Sequence, residues 1–74
     1  MINELDRVAL TRPLPEQSLV AGDVGTVVMV HDGGKGYSVE FMTMTGTTVA
    51  VITLDAGDVR PLRDSEIAHA RQVA

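Results

Sequence analysis

The residues of this 74-residue chain that could do chemistry are few, and their spacing does not suit it. His31 and Asp32 are neighbours, whereas an acid–base or metal-binding pair needs both side chains in one sphere. Neighbours on extended chain point to opposite faces, so the two read as a turn-flanking histidine and a turn-forming aspartate. Gly33-Gly34-Lys35-Gly36 has the glycine and lysine content of a phosphate loop. It lacks that loop's spacing and the hydroxyl residue after the lysine, and no helix follows to supply a dipole. Ser18, Ser38 and Ser65 have no histidine and carboxylate that the sequence can set beside them. Asp55 and Asp58 bracket Gly57, where aspartates serve to cap a turn. Cysteine is absent, which removes disulfides and thiolate metal sites, and His31 and His69 alone are too few for a zinc site. The sequence therefore assigns no catalytic residue, no cofactor and no metal ligand, and it predicts a protein that is not an enzyme.

What remains is contact chemistry. Met42 and Met44 lie near a predicted hairpin, and flexible thioethers suit adaptable contacts. Val49 and Val51 belong to a segment that is apolar on both faces, as in a central strand or one whose outer face meets another molecule. Met42, Met44, Val49 and Val51 are the candidate interaction surface. Tyr37 and Phe41 are the only aromatics and are needed for a core. They are too few to line a groove for proline-rich peptides or a methyl-lysine cage.

Strands must carry these side chains, because valine and threonine dominate the body of the chain and branching at Cβ favours a pleated surface. Leu5–Thr11 alternates and reads as the first strand, followed by an irregular excursion through Pro13 and Pro15 to the turn at Gly22-Asp23. Val24–Val30 is the second strand; its adjacent Val27 and Val28 imply either two covered faces or a bulge after Gly25. Asp32-Gly33-Gly34 predicts a hairpin turn into Tyr37–Phe41, the clearest alternation present. A turn at Thr45-Gly46-Thr47 leads to the fourth strand, Thr48–Leu54, and a short turn at Asp55–Asp58 to the fifth, Val59–Leu62. That layout predicts an all-β fold: a five-stranded SH3-like barrel over residues 1–63 with a short helical or frayed tail over residues 64–74. Asp64 or Ser65 would cap the helix, and its Ile67 and Val73 would pack on the barrel or on a neighbouring chain.

Charge and size narrow the partners. The net charge is −4, and Arg7, Arg12, Lys35, Arg60, Arg63 and Arg71 are scattered along the chain, so nucleic-acid binding is disfavoured. The first residues form no signal peptide and no apolar run approaches a bilayer span, which predicts a soluble cytoplasmic protein with no membrane partner. A domain this small has a marginal core, and without cysteine the remaining staple is association with a protein partner or with itself.

Four stretches carry a family resemblance: Leu5-Asp6-Arg7-Val8-Ala9-Leu10, Leu14-Pro15-Glu16, Ala21-Gly22-Asp23-Val24-Gly25-Thr26-Val27-Val28 and Val51-Ile52-Thr53-Leu54. Through them the run from Leu5 to Leu62 resembles a bacterial family known as domain of unknown function 4926. The resemblance implies a small SH3-like barrel and a companion of other small bacterial proteins, of antitoxin, immunity or accessory type. It implies no catalytic residue and no ligand. Gly22-Asp23-Val24-Gly25-Thr26-Val27-Val28 is also similar to the core of KOW-type modules, which bind RNA, but lacks their flanking lysines and arginines. The expected function is a non-catalytic protein-interaction module that also self-associates, with a KOW-like nucleic-acid-binding barrel as the alternative.

Overall fold

The β-branched segments become five strands in the computed structural model, which describes residues 1–73. They are β1 (Arg7–Leu10), β2 (Val24–His31), β3 (Gly36–Met42), β4 (Thr48–Asp55) and β5 (Val59–Pro61). Every neighbouring pair is antiparallel, and the strand order is β4-β3-β2-β1-β5. Tight turns join β2, β3 and β4, while β5 returns along the far side of β1. The only helical turns among the described residues are single 3₁₀ turns at Pro15–Gln17 and Ala56–Asp58. None is long and apolar enough to cross a membrane.

The all-β fold and its five strands are as the sequence predicts; closure of the barrel is not. β4 and β5 are the two ends of the sheet, with no backbone hydrogen bonds between them. Two features hold them apart. β5 has only three residues and ends in a proline, which has no N–H to donate. The long first loop also runs beside the opening, where Arg12, Leu14, Pro15, Glu16 and Gln17 face Ile52, Thr53 and Leu54 across a groove.

The core lies inside the curl of this sheet. Val8, Leu10, Val27, Val39, Phe41, Leu54 and Val59 are buried in it, and Leu14 and Leu19 plug it from the loop. Tyr37, Val39 and Phe41 alternate inward as predicted. Gly25 faces the same interior, where a Cβ would stand 2.5 Å from Val39 Cγ1 and 2.9 Å from Phe41 Cε1. The adjacent valines of β2 are reconciled by a bulge, though at Val28 rather than directly after Gly25. Val27 pairs with Val39, Met29 pairs with Ser38, and Val28 is the extra residue between them. A second irregularity at Val49 sets Ala50 opposite Phe41 and Thr48 opposite Met42.

Of the two alternatives for the tail, helical or frayed, the helix does not form among the described residues. A turn follows Arg63, and no regular structure extends from there to Val73. About ten residues make a marginal helix without packing support, and here the polar groups have other partners. The Glu66 carboxylate accepts from the Arg63 N–H at 2.7 Å and from the Arg60 guanidinium, while Arg71 reaches across to Asp23. Ile67, which a docked helix would bury, is 91% exposed.

Candidate interaction surfaces

The tail is held at both ends and stands off the sheet between them. At one end Arg60 Nη2 meets Glu66 Oε2 at 2.6 Å. At the other, Arg71 Nε donates to Asp23 Oδ1 at 2.8 Å and its Nη2 to the Ser18 carbonyl at 3.1 Å. These anchors set the carboxylates' acidity. Hydrogen bonds from Arg60 and from the Arg63 N–H pull Glu66 down to about 2. Asp23 is also lowered, chiefly by its hydrogen bond from Arg71, which outweighs the opposing effect of partial burial.

The tail thereby walls a cleft, with the β3–β4 hairpin and the Val20–Gly25 turn as its other sides. Val20, Val24, Met42, Met44, Leu62 and Ile67 all line it, and all six are exposed apolar side chains. Met44, at the hairpin, is 79% exposed. Val49 lines the same cleft but is half-buried against the core. Val51 is elsewhere: it projects from the outer face of β4, 59% exposed, beside the sheet's open end. The structure therefore brings Met42, Met44 and Val49 together and leaves Val51 apart.

The cleft also revises the reading of the basic residues. Arg7, Arg60, Arg63 and Arg71 are far apart in sequence but all border it. Asp23 and Glu66 neutralise two of them, leaving Arg7 and Arg63 without a salt bridge among the described residues.

The reactive residue types are placed as follows. His31 Nε2 lies 2.7 Å from Ser38 Oγ, which in turn lies 3.2 Å from Thr53 Oγ1. The sequence concealed this contact because β2, β3 and β4 supply one residue each, and only their register aligns them. Ser38 sits between two paired strands, so the backbone N–H groups beside it belong to the ladder and cannot form an oxyanion hole. No carboxylate hydrogen-bonds His31 among the described residues. The row is a cross-strand polar contact. In the Asp32–Gly36 turn, the N–H groups of Gly34 and Lys35 both donate to the His31 carbonyl, at 3.0 and 3.1 Å, so they do not cradle an anion. Asp58 caps the 3₁₀ turn by accepting from the Asp55 N–H at 3.1 Å and pairs with Arg12 at 2.8 Å. The Arg12 hydrogen bond holds its carboxyl below the usual range. No cluster of three or more metal-binding side chains occurs among the described residues.

Residues 4–61 match the family model described as domain of unknown function (DUF4926). The chain belongs to this family. No curated protein and no solved structure matches it. The DUF4926 segment spans all five strands and stops at Pro61, so it includes the hairpin and turn walls of the cleft but not the tail wall.

Proposed function

We propose that this DUF4926 protein is a non-catalytic protein-interaction module, and that the cleft between the β3–β4 hairpin and the tail receives its partner. One observation carries the reading: six exposed apolar side chains, Met42 and Met44 among them, line a single concave surface. Contiguous exposed apolar surface on a small soluble domain marks a contact site. The methionines let it adapt to the shape it meets. Arg7 and Arg63 at its border favour an apolar segment that also bears carboxylates. In this reading the chain itself is the antitoxin-, immunity- or accessory-type partner of a neighbouring gene's product.

The test is co-expression with each neighbouring gene product and measurement of stoichiometric co-purification. A partner should co-purify with the wild type and be lost from Met42→Lys and Met44→Glu, both of which should remain folded. Failure of every neighbour to co-purify, or retention of the partner by both folded variants, overturns the reading.

Arg7 and Arg63, the two cleft arginines without a salt bridge among the described residues, support a second reading, a KOW-like nucleic-acid site. It requires salt-sensitive binding to RNA or DNA. No change in anisotropy of labelled single- and double-stranded oligonucleotides at low salt removes it.

A further inference from the structure

The backbone register identifies which hydrogen-bonding groups of β4 are unused. Val27 donates to the Asp6 carbonyl at 2.9 Å and accepts from the Leu5 N–H at 2.7 Å, so its peptide groups point to the β1 side. Residues along a strand alternate in the direction of these groups. Val39, opposite Val27, therefore turns towards β4 and bonds to its own opposite residue, Ile52. The N–H and C=O of Val51 and Thr53 then point outward from the free edge. Asp55 continues the alternation, and its outward N–H is taken by Asp58. Val51 and Thr53 have no such cap among the described residues.

We propose that this edge pairs with the same edge of a second copy, antiparallel about a twofold axis at Ile52. The inference is independent of the cleft and its partner. In this register Val51 of each copy faces Thr53 of the other, so the open groups of these two residues find complements and four N–H···O bonds form. Ile52 faces Ile52 in a pair without hydrogen bonds, where side chains approach most closely. Leu54 faces Ala50, and the inner apolar face runs on across the axis.

The identity of the occupant follows from charge and from the contrast with the other edge. Thr48 to Leu54 carries no charge, and Asp55 would face Val49 of the other copy rather than its own equivalent. Exposed edges are ordinarily blunted by proline, charge or short length. β5 is blunted in all three ways: it has three residues, Pro61 has no N–H, and Arg60 Nη1 occupies the Pro61 carbonyl at 3.1 Å. β4 has eight residues, and between Thr48 and Leu54 it carries neither proline nor charge; its one irregularity, at Val49, lies outside the Val51–Thr53 pairing. A groove separates Ile52, Thr53 and Leu54 from the Arg12–Gln17 loop.

Sedimentation velocity over a dilution series, with amide hydrogen exchange by NMR, tests this. The wild type should be a dimer that dissociates on dilution. The Val51 and Thr53 amides should be protected in the dimer and exchange freely in the monomer, with Ile52 protected in both. Val51→Pro removes only an outward N–H and leaves the internal ladder intact. It should keep the strand circular dichroism and weaken the dimer roughly thirtyfold, because two of the four bonds are lost. If Val51→Pro does not fold, exchange on the wild type decides alone. A monomer at millimolar concentration, a dimer with freely exchanging Val51 and Thr53 amides, or a folded Val51→Pro dimer as tight as wild type overturns the proposal. Met42→Lys and Met44→Glu should leave the dimer unchanged, which separates this edge from the cleft.

Discussion

Gly25 shows how far a single residue type can be interpreted. A glycine inside a strand signals either a bulge or a close approach, and sequence does not choose between them. Here it is the close approach: Val39 and Phe41 occupy the space that a Cβ would need, and the Glu40 carbonyl lies 3.0 Å from it. Gly25→Ala should therefore destabilise by about 1–3 kcal/mol through overpacking. Urea unfolding reads this as a lower midpoint at unchanged slope; a loss below about 0.5 kcal/mol, the usual range for a neutral surface change, would refute the contact. Ser38 illustrates the opposite case, a residue whose partners lay outside sequence reasoning. His31 and Thr53 come from different strands, and the bulge at Val28 sets Met29 opposite Ser38, so that His31 reaches Ser38 on the diagonal.

At the scale of elements, the turns were legible and the tail was not. Asp32, Gly33 and Gly34 all adopt left-handed φ, 49°, 68° and 107°, as the sequence of that hairpin requires. The tail has cap residues and alanines suited to a helix, yet its conformation is decided by Arg60 and Asp23 on other elements. This makes its order dependent on pH. Glu66 is lowered from 4.5 to about 2 by folding, so its contribution is complete above about 4.5 and is lost as pH falls through about 2. Asp23, also lowered, acts in the same direction. Residues 64–70 should gain fast backbone mobility by 15N relaxation as the solution is acidified, while β1–β5 stay ordered. Glu66→Gln should reproduce that mobility at pH 7; an unchanged tail in the variant would show that the Arg60 anchor is not what holds it.

For the whole molecule, one small core supports two surfaces. Phe41 is 2% exposed at the centre of that core, and truncating a buried Phe to Ala costs about 3–5 kcal/mol. A core of this size supplies about 3–5 kcal/mol in total, so Phe41→Ala should be largely unfolded by circular dichroism at 25 °C. Met44→Glu, at a side chain already facing solvent, should melt within a few degrees of the wild type. Equal melting temperatures for the two would contradict the division between the core and the solvent-facing surface.

The fold class was determined by the sequence alone. Valine-rich alternation selects strands, glycine-rich turns place the hairpins, and both effects act over a few residues. The edges, the cleft and the tail were decided only in three dimensions. Barrel closure depends on whether a three-residue β5 ending in proline reaches β4, and it does not. Met42, Met44 and Val49 join Val20, Val24, Leu62 and Ile67 because the chain returns on itself, while Val51, which alternation would put on the same face as Val49, is separated from it because the irregularity at Val49 breaks the alternation. Local periodicity can say that a side chain points inward or outward; which outward side chains share a surface depends on strand order and register, and those are set by packing between distant segments.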